Sequence, residues 1–469
     1  MNDVNSNKED NKPSKDVKNK GCLKGCLLTL ISTILFVLFF LWLIPSALTH
    51  IQVNDIFDDD NLVKIVESKI HTYYVSQKQL DKVSNLQIGT RLALDLTPGY
   101  ELPVKSLNGI ERLTNLQGVN ISDCPDLEDI SPITGLDSLE HLTISNCTQI
   151  KDISPIYTLE SLKRLCISDL SCLTDLSGLS NLKNLDELYI GNCSNLSDIS
   201  AVTDLKNLTK LSIYNCNSLN DISPTQNLVS LLYLNIGYCN SITDLSPISS
   251  QNSLETLNII GLDKLVNLSF VNELESLAVL TIDDCSSLND ISSLEGLTSL
   301  KSLNLYSCNS LSNISALNGT SNLTMLYIFE CSLISDLSPL SSLSSLNQLY
   351  LRFLPLVDDI TPLVNLNKLR LLSFTDCTKL TDISPLSSMD GLESLSFYYC
   401  DSLTDISPII KMKSLRSLVI DECKSFTDIS PLMEIEKLRF LLIDEEVVNN
   451  NTETIEYLES IGCNIYPSK

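Results

Sequence analysis

A chain of 469 residues that is 43% hydrophobic, with 58 acidic and 32 basic side chains, has ample material for a core and a formal charge of −26. That excess of acid repels nucleic-acid phosphates and anionic lipid, so no nucleic-acid partner is expected. Sixteen cysteines would suggest a disulfide framework in a short secreted chain, but eleven of them recur at one fixed spacing, which reads as structure.

Residues 1–26 are rich in Asn, Lys, Asp and Ser and have little to bury, so a disordered tail is expected. Residues 27–48, LLTLISTILFVLFFLWLIPSAL, carry no charge, and roughly 20 apolar residues suffice to span a bilayer. Lys15, Lys18, Lys20 and Lys24 precede the run, while Asp55, Asp58, Asp59 and Asp60 follow it. That bias places the N-terminus in the cytoplasm. The run is longer than the apolar part of a secretory signal, and Pro45-Ser46-Ala47 is a poor cleavage site. The reading is an uncleaved signal-anchor: one transmembrane helix, a single-pass membrane protein, and everything beyond it extracellular.

Residues 49–105 read as a helical N-terminal cap and lead-in. Within residues 54–76 acids come first, followed by Leu62, Ile65, Val66 and Ile70 on one helical face. Residues 79–87, QLDKVSNLQ, read as a second short helix, placed to cover the open end of a repeat core. LNGIERLTNL, at 107–116, leads into the first full unit.

From residue 106 to 446 one phrase repeats, L-x-x-L-x-I-x-x-C-x-x-L-x-D-I-S-P, seen best at 369–385. The Cys falls at Cys124, Cys147, Cys193, Cys216, Cys239, Cys285, Cys308, Cys331, Cys377, Cys400 and Cys423. Leu170, Leu262 and Leu354 occupy the skipped steps, four units apart, which suggests growth by duplication of a four-unit block. Five residues after this position stands an Asp, replaced only by Asn267 and Asn313. Fourteen 23-residue units without an insertion carry the leucine-rich repeat signature. Leu-x-Ile alternates as a strand does, and about fifteen strands spaced ~4.8 Å apart would make a parallel sheet some 65–70 Å long. The Cys is expected to point inward as a small buried group with a weak S–H donor. The Asp is expected to accept turn N–H groups rather than bind calcium. L-x-D-I-S-P is too short and Pro-rich for an α-helix, so turns or extended chain should form the opposite side. Residues 438–444 read as a fifteenth strand. In the C-terminal cap, 447–469, residues 452–461 read as a helix ended by Gly462, with a final strand near 463–466.

The succession IFDDDNLVKIV, VSQKQLDKVSNLQ, KSLNGIERLTNL and LTDISPL resembles the internalin-type leucine-rich repeat proteins of Gram-positive bacteria, over roughly residues 53–442. The resemblance implies an α/β repeat: a curved solenoid with a parallel sheet on its concave side, a helical cap, and a concave face that binds host or cell-surface proteins. Units of 23 residues rather than 22, Cys in place of Asn, and an anchor at the N-terminus set this chain apart.

No catalytic constellation is present. His50, His71 and His141 lie in unrelated places, and no metalloprotease, serine-hydrolase, P-loop or dinucleotide motif occurs. An enzyme, a cofactor or a metal site is therefore not expected. The variable sheet positions are mostly Ser, Thr, Asn and Gly. Against them Met325, Tyr327, Phe329, Tyr350 and Arg352 gather on two adjoining strands, with Tyr306 one strand before and Leu371 one after. A second group is Tyr189, Tyr214 and Tyr233. Aromatic and Arg side chains are typical interface anchors, although aromatic residues also favour strands for their own sake. The expected role is a protein ligand on the concave face of a surface-displayed protein. A structural or adhesive element of the envelope, or a glycan-binding face, is the alternative.

Overall fold

The computed structural model describes residues 51–89 and 102–468. The expected N-terminal tail and the apolar run at 27–48 lie outside them. Among the described residues no helix is long and apolar enough to cross a membrane.

The fold is a solenoid. Seventeen parallel strands follow one another in chain order, from β3 (Asn85–Gly89) to β19 (Asn464–Ser468). Each pairs in register at the repeat spacing, as Leu326 does with Leu303 on one side and Leu349 on the other. A separate antiparallel pair joins β1 (Ile51–Gln52) to β2 (Tyr74–Val75). Two strands exceed the fifteen that the repeat frame implies, one at each end. The segment expected to be a second helix over 79–87 is instead a short helix α2 (Gln77–Leu80) followed by β3. The Ser76 and Gln79 capping box starts that helix. Leu86 and Ile88 then alternate inward, and pairing with β4 (Gly118–Ser122) draws the segment into the sheet. At the other end β19 pairs with β18 (Phe440–Asp444).

Helix α1 (Asp60–Ile70) buries Leu62, Ile65 and Val66 in the same core cluster as the repeat leucines. One Asp59 oxygen caps it by accepting from the N–H groups of Asn61 and Leu62, at 2.8 and 3.1 Å. The other oxygen accepts from Lys105 N–H at 2.7 Å, tying this helix to the lead-in segment. At the C-terminal end α3 (Glu445–Asn450), which the sequence pattern did not suggest, precedes α4 (Thr452–Ser460). Leu458 of α4 is fully buried.

Within each unit two inward side chains on the strand are followed, three residues after the second, by the inward Cys or Leu. Simple alternation would send that residue outward. The residue just before it absorbs the change of phase by adopting a left-handed backbone, with φ between 49° and 62° in all fourteen units, from Asp123 to Glu422. Its N–H still extends the ladder, donating to the next strand, as Asp123 N–H does to Ser145 O at 3.1 Å. Asp, Asn and Gly fill eight of these positions (Asp123, Asn146, Asp169, Asn192, Asn215, Gly261, Asp284 and Asp376), the residue types that tolerate this conformation best. Asn side chains bridge some neighbours, Asn146 to Asp123 at 2.6 Å and Asn192 to Asp169 at 2.9 Å.

The repeat cysteines are buried, and all fourteen described cysteines are free thiols. The repeat thiols donate to the carbonyl two residues earlier, as Cys193 does to Gly191 O at 3.3 Å and Cys308 to Tyr306 O at 3.4 Å. Burial pushes Cys193, Cys285 and Cys377 up to about 12, so they stay protonated. Leu170, Leu262 and Leu354 fill the same buried position without a donor.

Opposite the sheet each unit makes a short 3-10 helix opening at Ser or Thr, commonly with Pro second, as in Ser384–Ser388. The Asp two residues before it accepts the Ser N–H at 2.7–2.9 Å in unit after unit, for example Asp129 to Ser131, Asp244 to Ser246 and Asp428 to Ser430. Asn267 and Asn313 accept in the same way, at 3.0 and 2.9 Å. The conserved element of the turn is thus a hydrogen-bond acceptor, with or without charge. Expected turns and observed 3-10 helices agree in kind, the difference being that the acceptor organises the turn into a short helix.

These hydrogen bonds, from the backbone N–H first and the hydroxyl second, hold the carboxyls of Asp152, Asp175, Asp290, Asp382 and Asp428 below the ordinary value of 3.8. A depressed folded-state value means that the unfolded chain binds more protons, so the contribution is present above 3.8 and lost as pH falls below it. Replacing these five by Asn should therefore make the melting temperature fall less steeply below that pH than in the parent. Equal slopes in the two proteins would contradict this origin of acid sensitivity.

Candidate functional site

The strands put alternate side chains on the open face in three rows, the first, third and fifth residue of each. β12 (Ser302–Tyr306), β13 (Met325–Phe329) and β14 (Gln348–Arg352) bring most of the first expected group together. In the third row Tyr327 and Tyr350 stack face to face, with ring centroids 4.0 Å apart and planes 4° from parallel. In the fifth row Tyr306 meets Phe329 edge-on at 6.1 Å, and the Arg352 guanidinium lies 5.6 Å over the Phe329 ring. Tyr306 also tilts against Tyr327 at 6.3 Å, joining the two rows. Met325 and Leu371 sit in the first row on either side of Gln348, whose side-chain oxygen accepts from the Tyr350 hydroxyl at 3.3 Å.

Rings on neighbouring strands cover one another, so each is half-buried and the cluster presents a continuous surface of ring edges. Burial, with a further contribution from the Tyr327 hydroxyl, pushes Tyr350 up to about 12, and burial raises Tyr306. Both are neutral phenols at physiological pH. Arg352 remains exposed. A surface of this kind offers apolar contact, a cation and phenolic hydrogen bonds together.

One member was missed. Phe353 occupies the left-handed position after β14, with φ of 53°, and packs edge-on against Phe329 at 5.2 Å. It is 37% exposed. The signal was available: Phe353 stands where most units carry Asp, Asn, Gly, Ser or Glu. Tyr238 and Tyr399 are the other aromatics held there. A bulky side chain in this conformation is strained and points to a purpose other than stability.

The second expected group does not form a stack. Tyr189, Tyr214 and Tyr233 lie in the third, fifth and first rows of β7 (Glu187–Gly191), β8 (Lys210–Tyr214) and β9 (Tyr233–Gly237). Tyr214 packs edge-on to Tyr238 at 5.3 Å and lies over Gly237, where a Cβ would come within 2.6 Å of its ring. Tyr189 and Tyr233 instead line a groove of about 740 Å³ that also includes His141, Arg164 and Lys210. Among the described residues no group of three His, Cys, Asp or Glu is placed to hold a metal ion.

Two leucine-rich repeat families match parts of the chain. The one described as plant disease resistance protein RPS2-like, leucine-rich repeats, matches residues 263–401, and the one described as leucine rich repeats (2 copies) matches residues 114–158. No curated protein matches the chain. Among solved structures, internalin F of Listeria monocytogenes is 24% identical over 84% of this chain and 97% of its own, with a TM-score of 0.49. Internalin C2 of the same species is 25% identical over 55% and 97%, with a TM-score of 0.39. A leucine-rich repeat protein of Leptospira interrogans is 20% identical over 83% and 97%, with a TM-score of 0.56. The last of these likenesses is one of fold.

Relief of left-handed strain in Phe353→Asn, about 1–2 kcal/mol, and loss of the ring pair, about 0.5–1.5 kcal/mol, nearly cancel. Chemical denaturation should place this variant within roughly 1 kcal/mol of the parent, whereas Leu354→Ala next to it should cost about 2–5 kcal/mol. A Phe353→Asn cost as large as that of Leu354→Ala would show that the ring belongs to the core.

Proposed function

We propose that this leucine-rich repeat protein, which has internalins among its structural neighbours, recognises a partner protein through the ring cluster on β12–β14. The fold is one commonly used for protein–protein recognition, and solenoids of this kind present long binding surfaces. The observation that carries the reading is the stacked Tyr327–Tyr350 pair, with Phe329, Phe353 and Arg352 beside it. Rigid aromatic rings lose little conformational freedom on binding, and aromatic and Arg side chains dominate interface energetics. The charge of −26 favours a neutral or basic partner.

The same reading includes display. The uncharged run at 27–48, with lysines before it and aspartates after it, supports an anchor that leaves the repeats outside the cell. Protease added to intact cells is then expected to digest or release the repeat domain. Protection until lysis would put the solenoid in the cytoplasm and replace surface recognition by an intracellular scaffold.

With the partner captured on the parent protein, Tyr327→Ser combined with Phe329→Ser should abolish that one interaction and leave the circular dichroism spectrum unchanged. Retained binding by the folded double variant would remove the ring cluster from the proposal.

A further inference from the structure

The groove on strands β5 (His141–Ser145) to β9 is a second surface, independent of the ring cluster and of membrane display. Its distinguishing feature is charge. Across the seventeen strands only Arg164, Glu187 and Lys210 carry charge in the first outward row, and they stand side by side on β6 (Arg164–Ser168), β7 and β8. Glu187 is the shared anion: one oxygen meets Lys210 Nζ at 2.7 Å and the other meets Arg164 Nε at 3.3 Å. The row keeps a surplus cation in a protein of charge −26.

The two cations are held by Glu187 yet remain open, with 59% and 55% of their side chains exposed, against 28% for Glu187. Arg164 meets Glu187 through Nε, which leaves the guanidinium fork to take a planar oxyanion by two parallel hydrogen bonds. Nearby acids are already engaged: Glu140 meets Lys163 Nζ at 2.8 Å, and Asp186 accepts the Thr209 hydroxyl. Two groove residues carry polar atoms removed from solvent without a hydrogen bond, His141 Nδ1 and Asn235 Oδ1. Such atoms are rare in folded proteins and call for a further partner, such as a water. Tyr189, half-buried, forms part of the same groove.

We propose that this groove binds an acidic peptide segment of a partner protein, with a side-chain carboxylate on Arg164 and Lys210 and the adjoining residue against Tyr189. A carboxylate suits the fork of Arg164, and a short extended segment suits a groove running across five strands. The geometry also fixes the sign of one variant. Glu187 competes with the incoming carboxylate for both cations, so its removal strengthens binding, whereas a merely structural ion-pair row would be damaged by the same change.

Fluorescence anisotropy of a fluorescein-labelled peptide with four glutamates between glycines and tyrosines, titrated with the full chain at low salt, tests this. Binding is expected for this probe and not for its glutamine counterpart. Arg164→Gln with Lys210→Gln should weaken it at least about tenfold, the size expected for losing a charge-assisted contact, and Glu187→Gln should tighten it. Tyr327→Ser with Phe329→Ser, which disables the other surface, should leave it unchanged. Equal binding of the glutamine peptide, indifference to the Arg164 and Lys210 changes, or preferential binding of a labelled single-stranded DNA of equal length would each overturn the proposal.

Discussion

One left-handed residue per unit is the constraint on which the solenoid depends. Strand alternation can bury two side chains and then must send the chain away from the sheet. By turning left-handed after the strand, each unit brings a third side chain inward and enters the return segment while its N–H still serves the ladder. The inward residue at that point is buried and faces the carbonyl two residues back, so a compact side chain with a weak donor is well suited. Cys meets both needs in eleven units. Leu170, Leu262 and Leu354 are larger and forgo the donor, yet are equally buried, and they divide the thiol row into short runs.

The return segment solves the opposite problem. A chain of few residues between two strands has backbone N–H groups that neither strand nor α-helix satisfies. An acceptor two residues before the 3-10 helix takes one of them, and a proline inside the helix removes another. Because the acceptor need only be an oxygen, Asn267 and Asn313 replace Asp without changing the turn, while the twelve carboxylates that remain at this position add to the acidic surface.

Most of this was legible in the sequence. The strict spacing fixed the register, Leu-x-Ile marked the strands, and the inward Cys and hydrogen-bonding Asp followed from residue chemistry. Three things were not legible. The segment around Leu86 lacks the repeat phrase, and only pairing with β4 makes it a strand. The left-handed position is Asp, Asn or Gly in eight units and something else in six, a bias whose meaning as a backbone requirement shows only in the fold, and Phe353 was overlooked with it. The second aromatic group was judged by strand number alone; row assignment separates Tyr214 from Tyr189 and Tyr233, and reveals instead the charged row beside them. Periodicity thus identifies what the repeats share, while the distinctive surfaces arise from departures whose meaning depends on which row they fall in.

The in-register stack has a metrical consequence. β7, at the middle of the charged groove, and β13, at the middle of the ring cluster, are six strands apart, which at ~4.8 Å per strand is roughly 29 Å. An extended polypeptide covers that span with about nine residues. The sheet therefore acts as a ruler: inserting or deleting one whole unit between the two places would shift their separation by a single strand step and leave both intact. A partner touching both would be sensitive to the number of units, quite apart from the residues they display.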